Sequence, residues 1–88
     1  MKTIIIDARE PFEFEMGHVK GAVNLPAHAF LEGMPSRLQD VPHDTPIIVY
    51  CRSGARSNVV AQLLHGHGFS NVTNGISQLH VEKQLAKK

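Results

Sequence analysis

The chain has 88 residues, 42% hydrophobic and 19% charged, with a formal net charge of +1. That length holds one hydrophobic core and no second, so residues 1–88 are expected to form a single domain. The balance excludes a disordered segment, and the lack of a basic stripe argues against nucleic-acid binding.

The elements follow in chain order as short apolar runs separated by helical stretches. Thr3–Ile6 is a β-branched run ending at Asp7 and predicts a buried strand. Pro11 suits the first turn of a short helix reaching Glu15, with Gly17 as its stop. Gly21–Leu25 predicts a second short strand closed by Pro26. Phe30, Leu31, Met34 and Leu38 recur at helical spacing, but Gly33 and Pro35 interrupt them, so two short helical pieces are expected. Asp40 to Pro46 reads as a turn. Pro46-Ile47-Ile48-Val49-Tyr50 is apolar throughout and predicts a central strand covered on both faces. Val59, Val60, Leu63 and Leu64 form a stripe on a helix from about Ala55 to His65, which Gly66 and Gly68 end. Ser70–Thr73 is expected as the last strand and Ile76 to Ala86 as the last helix. Lys83, Lys87 and Lys88 read as its solvated end.

Strands alternating with helices predict an α/β fold with a parallel sheet and right-handed crossovers. Ligands in such sheets bind at the carboxyl ends of the strands. Asp7 and Cys51 each follow a strand directly, so both are expected at that end.

Cys51 is the single cysteine, which excludes an internal disulfide and any zinc site with two thiolates. A lone cysteine is usually a small buried hydrophobe. This one leaves a buried strand and enters Arg52-Ser53-Gly54-Ala55-Arg56-Ser57, with a helix starting at once. The unpaired amides of a helix start point at whatever occupies such a loop, and the helix dipole adds to their effect. Gly54 permits a backbone conformation that side chains resist, and Arg52 and Arg56 bring positive charge. All of these favour thiolate over thiol, so Cys51 is expected to titrate below the free value of about 8.5. The loop is built for a nucleophile and an anionic substrate.

Spacing narrows the substrate. Cysteine phosphatases place five residues between cysteine and arginine, whereas four separate Cys51 from Arg56. The tighter loop suits a sulfur atom bonded to the cysteine, and it holds no histidine or carboxylate to protonate a leaving group. Phosphate ester cleavage needs such an acid; loss of sulfite from thiosulfate does not.

Cys51-Arg52-Ser53-Gly54-Ala55-Arg56-Ser57 resembles the active-site loop of rhodaneses, the thiosulfate sulfurtransferases. Asp7-Ala8-Arg9, Glu13, Gly17-His18-Val19 and Gly21-Ala22-Val23-Asn24-Leu25-Pro26 resemble the second signature of that family. The likeness runs from about Ile4 to Gly75 and is nearest to the small single-domain bacterial type, including the phage-shock type. It implies a rhodanese-like sheet of four to five parallel strands with helices on both faces. The sheet drops to four if the additional N-terminal strand common in the family is missing. The family's usual glycine pair and nearby tryptophan are replaced by Asn74-Gly75-Ile76-Ser77, and the chain has no tryptophan.

The resemblance implies Cys51 as the catalytic residue, passing sulfur from thiosulfate through a persulfide to cyanide or a thiol. It implies Arg52, Ser53, Gly54, Ala55, Arg56 and Ser57 as the substrate-binding loop, with Asp7, Arg9 and Glu13 in support. Arg52 is expected on the sulfonate end of thiosulfate. Arg56 either holds substrate or pairs with a carboxylate such as Glu13. Ser53 and Ser57 either bond the sulfur or cap the following helix, capping being favoured for Ser57. Asp7 and Arg9 are read as an ion pair tying their turn to the core. Other readings are a non-catalytic interaction module, which the intact cysteine opposes, and a phosphatase or arsenate reductase, which the spacing opposes.

No cofactor is expected. His65 and His67 lie two apart and share no helix face, and His18 is read as holding a turn, so no metal site is assigned. The expected partners are the small anionic donor and a thiol or protein acceptor, with no membrane or nucleic acid, and a monomer is the default. The start has too short an apolar run for a signal peptide, and no stretch reaches membrane-spanning length. A cytoplasmic protein is expected, although a mature secreted form carrying a new start methionine would read the same way.

Overall fold

The computed structural model describes residues 2–87. Strand β1 (Ile4–Asp7) leads to helix α1 (Pro11–Met16) and the short β2 (Val23–Asn24). Two 3-10 turns, Ala27–Phe30 and Ser36–Leu38, replace the interrupted helical stretch. Then come β3 (Ile47–Cys51), α2 (Ala55–Gly66), β4 (Val72–Ser77) and α3 (Gln78–Ala86). The four strands form one parallel sheet in the order β2-β1-β3-β4.

Every residue of β3 is buried, as its unbroken apolar run requires. Successive side chains of a strand point to opposite faces, and that alternation builds two cores. Ile47, Val49 and Cys51 pack with Val60 and Leu64 of α2 and with Phe30 and Leu38 of the 3-10 turns. Ile48 and Tyr50 pack on the opposite face with Val19 and with Val81 of α3, flanked by Phe14 of α1. Cys51 is thus a core residue of the central strand and also its last one.

The buried side of α2 carries Ser57, Val60, Ala61 and Leu64, whereas Val59 is half exposed. The expected stripe was therefore rotated by about one residue, because Ser57 takes an inward position that an apolar count overlooks. Gly68 takes φ 99 after α2 and lets the Phe69 amide return to the Leu64 carbonyl.

The largest difference from expectation lies at the last strand. β4 runs to Ser77 and not to Thr73, and α3 starts at Gln78 and not at Ile76. Ser77 is the N-cap of α3, its Oγ accepting the His80 amide at 3.2 Å. Between Val49 and Tyr50 the β3–β4 register slips from Asn74 to Ile76, so Gly75 is the extra residue of a bulge. A methyl group on Gly75 would stand 2.6 Å from Val81 Cγ2 and 2.7 Å from Ile48 Cγ2. Gly75→Ala is therefore expected to cost about 1–3 kcal/mol by overpacking, read as a lower urea midpoint at unchanged slope. Ile76 follows at φ 73, an uncommon conformation for a β-branched residue.

Candidate active site

The carboxyl ends of β1 and β3 bring the two sequence signatures together. Asp7 lies in register with Tyr50, and the Ala8 amide donates to the Tyr50 carbonyl at 2.8 Å. Asp7 is fully buried. It accepts the Arg9 amide at 2.9 Å, Arg9 Nη2 at 2.7 Å and the Tyr50 hydroxyl at 2.7 Å. The Tyr50 oxygen in turn accepts the Val19 amide at 3.0 Å. Burial is the main cause pushing the Tyr50 hydroxyl up to about 12, so it stays a donor. Arg9 Nη2 also reaches the Gly17 carbonyl at 2.6 Å. Asp7 and Arg9 therefore stitch α1 and its exit turn to the central strand.

The turn after α1 is held by His18, whose Nδ1 lies 2.8 Å from the Phe14 carbonyl while its ring stacks on Phe14. Glu13 accepts the Glu10 amide at 3.0 Å and pairs with both terminal nitrogens of Arg56, at 2.7 and 3.0 Å. Hydrogen bonding from Arg56 is the main cause holding Glu13 down at about 2. Of the two expectations for Arg56, the geometry shows the carboxylate pair. Arg52 is exposed and has no carboxylate partner among the described residues. It lines a cleft of about 400 Å³ with Arg9, Glu13, Met16, Gly17 and Gln78.

Cys51 sits at the floor of the loop and is 2% exposed. Its Sγ receives the Gly54 amide at 3.1 Å and the Ser57 amide at 3.4 Å. The first contact depends on Gly54, whose φ of 99 turns its N–H inward as α2 begins. Ala55 opens that helix, and exposed Ser53 sits in the bend between. Ser57 does not cap α2. It lies inside the first turn, with Oγ 3.4 Å from Sγ and 2.7 Å from Asn74 Oδ1. Gly54 holds the cap position and has no side chain to cap with, and its own amide and that of Ser57 turn to the sulfur.

Burial of the sulfur works against ionisation. The Ser57 hydroxyl and the amides of Ser57, Ser53 and Gly54 outweigh it, bringing Cys51 down to about 7. Alkylation by iodoacetamide should therefore rise about tenfold per pH unit on the acid side and level off above about pH 7. A midpoint at or above the free-thiol value of about 8.5 would contradict the amide cradle.

Two participants are not legible in the sequence pattern. The apolar run marks Tyr50 only as strand, although a phenol in a buried apolar run needs a polar partner. The sequence marks Asn74 only as part of a replaced motif. Its Nδ2 donates to the Gly54 carbonyl at 2.9 Å, so it ties β4 to the loop. No cluster of three or more histidine, cysteine or carboxylate side chains suited to a metal occurs among the described residues. No helix among them is long and apolar enough to cross a membrane.

The fold is thus a parallel α/β sheet with a buried, amide-cradled thiol at the end of its central strand. The chain belongs to the rhodanese-like domain family, which it matches over residues 1–80. It is 38% identical over 73 residues to an uncharacterised protein of Bacillus subtilis, covering 83% of this chain and 55% of that one. A sulfurtransferase of Allochromatium vinosum is 35% identical over 71 residues, 81% of this chain and 63% of that one. The tRNA uridine(34) hydroxylase of Pectobacterium carotovorum is 33% identical over 72 residues, 80% of this chain and 20% of that one. The chain thus spans less than two thirds of the length of each of these relatives. The structure of a rhodanese with anions from E. coli superimposes with a TM-score of 0.76 at 26% identity, covering 90% of this chain and 91% of that one.

Proposed function

We propose that this protein is a sulfurtransferase that takes the outer sulfur of thiosulfate, or of a similar anionic donor, onto Cys51. The observation that carries this reading is the sulfur of Cys51 under converging amides, on a thiol brought down to about 7. The Cys51 thiolate attacks the outer sulfur of thiosulfate and forms a new S–S bond. The sulfur–sulfur bond of the donor breaks, and sulfite leaves with its electron pair, needing no proton. The persulfide on Cys51 carries the negative charge, and the same amides stabilise it as an oxyanion hole stabilises oxygen. Cyanide or a thiol then attacks the terminal sulfur and returns Cys51 as thiolate. No net oxidation of the protein occurs.

Exposed Arg52, bordering the cleft, is the cation for the sulfonate end of the donor. Arg56 is engaged by Glu13, so its part is to fix the loop against α1. The sulfurtransferase among the relatives supports the same chemistry. The test is the intact mass after thiosulfate treatment and desalting. A gain of one sulfur, about 32 Da, removed by cyanide, is the expected result. An unchanged mass with no thiocyanate released would sink the proposal.

A further inference from the structure

Asn74 stands where the sequence departs from its family's glycine pair, and its side chain is hydrogen-bonded at both ends. The Ile76 amide donates to Oδ1 at 3.0 Å, and Nδ2 donates to the Gly54 carbonyl at 2.9 Å. A backbone N–H must meet an acceptor and a carbonyl must meet a donor, so these two bonds fix which end is oxygen. The Ser57 hydroxyl, 2.7 Å from that oxygen, therefore donates to it. A serine hydroxyl has one proton. What Ser57 turns toward Cys51 Sγ, at 3.4 Å, is a lone pair.

We propose that Asn74 is a positioning residue for Cys51: it claims the Ser57 proton, so that Ser57 faces the resting thiol as an acceptor and becomes a donor only to a charged sulfur. The thiol then rests as S–H···O to Ser57. When the sulfur ionises, the hydroxyl hydrogen swings from Asn74 Oδ1 to Sγ and no heavy atom has to move. Asn74 Oδ1 keeps the Ile76 amide after the swing, so it is not left buried without a partner. The trade favours the neutral thiol at rest, because ionisation must give up the 2.7 Å Ser57–Asn74 bond. The amides of Gly54 and Ser57 serve the sulfur in both states. A thiolate or persulfide thereby recruits a third donor that the resting enzyme keeps elsewhere. This role rests on Cys51 as the sulfur carrier, but its test needs no sulfur donor, so the two readings fail separately.

The test is the iodoacetamide rate against pH for the wild type, Asn74→Ala, Ser57→Ala and the double variant. In Asn74→Ala the Ser57 proton is free for the thiolate, and the rate near pH 6 should rise about three- to tenfold as the midpoint moves down. In the Ser57→Ala background, Asn74→Ala should change nothing further, which a merely structural tie between β4 and the loop would not predict. A midpoint that stays or rises in Asn74→Ala, or the same fall without Ser57, overturns the assignment. The Raman S–H band of the wild type provides a readout that does not depend on the Asn74 variant folding. With one cysteine in the chain the band is unique. It should be shifted down as for a donating thiol and return upward in Ser57→Ala; a free-thiol position in the wild type overturns the assignment.

Discussion

Cys51→Ser should abolish thiocyanate production from thiosulfate and cyanide, lowering the rate by about a thousandfold or more, while the protein stays folded. The magnitude follows from the absence of any substitute. Cys51 is the single cysteine, so no second thiol exists to carry the sulfur. A serine hydroxyl ionises far above neutrality, whereas this thiol titrates at about 7. The amide cradle would survive the change, so donor binding should persist in Cys51→Ser. A variant that keeps more than about a tenth of the rate would place the chemistry elsewhere. Arg52→Ala gives the contrasting pattern: a weaker donor KM with Cys51 alkylation unchanged, because its guanidinium makes no hydrogen bond to Sγ among the described residues.

The cradle places the sulfur of Cys51 at the end of a strand and not on a free loop. Cys51 is held on one side by the β3 ladder, in register with Ser77, and on the other by the first turn of α2. The sulfur is placed by two rigid elements, so the amides need little reorganisation when charge develops on it. The Glu13–Arg56 pair then fixes α1 to that same turn of α2 across a sequence separation of 43 residues. Charge on the loop is accordingly divided between a held arginine and an exposed one.

What the sequence made legible was local. The apolar run of β3, the proline and glycine limits of α1 and the cysteine at a strand–helix junction depend on neighbours a few residues away, so their pattern predicts them. The boundary between β4 and α3 is not legible locally because it depends on Gly75 packing closely against Ile48 of β3 and Val81 of α3. Ser77 carried a usable signal as an N-cap three residues before His80, but the apolar Ile76 drew the helix start forward. Asn74 and Tyr50 give no local signal for the same reason. Their partners, Ser57 and Gly54 for one and Asp7 for the other, are brought near only by the fold. Local statistics favour capping for Ser57 over a bond to the sulfur, and the fold realises the second alternative, with tertiary contacts to the sulfur and Asn74.

Asp7→Ala should cost about 3–5 kcal/mol, a large share of the roughly 5–15 kcal/mol that holds a small domain together. The carboxylate is fully buried and receives donors from Arg9 and Tyr50. Its removal leaves a mostly buried guanidinium without its counter-charge and a buried phenol without its acceptor, and both then bear their desolvation cost unrelieved. The double change Asp7→Ala with Arg9→Met removes the orphaned charge, so it should recover part of the loss; additive losses would show that the pair is not the source. Urea unfolding measures both. Asp7→Asn should fall between wild type and Asp7→Ala, because its amide oxygen still accepts from Tyr50 but no charge faces Arg9. In the folded fraction of Asp7→Asn, the pH midpoint of Cys51 alkylation should stay within about half a unit of wild type. Among the described residues the hydrogen bonds to the sulfur come from Gly54 and Ser57, not from Asp7, which acts on the site by holding the end of β1 against the end of β3. A midpoint shifted by a full unit would instead make Asp7 an electrostatic partner of Cys51, and a loss below about 1 kcal/mol in Asp7→Ala would mean that α1 is held by other contacts.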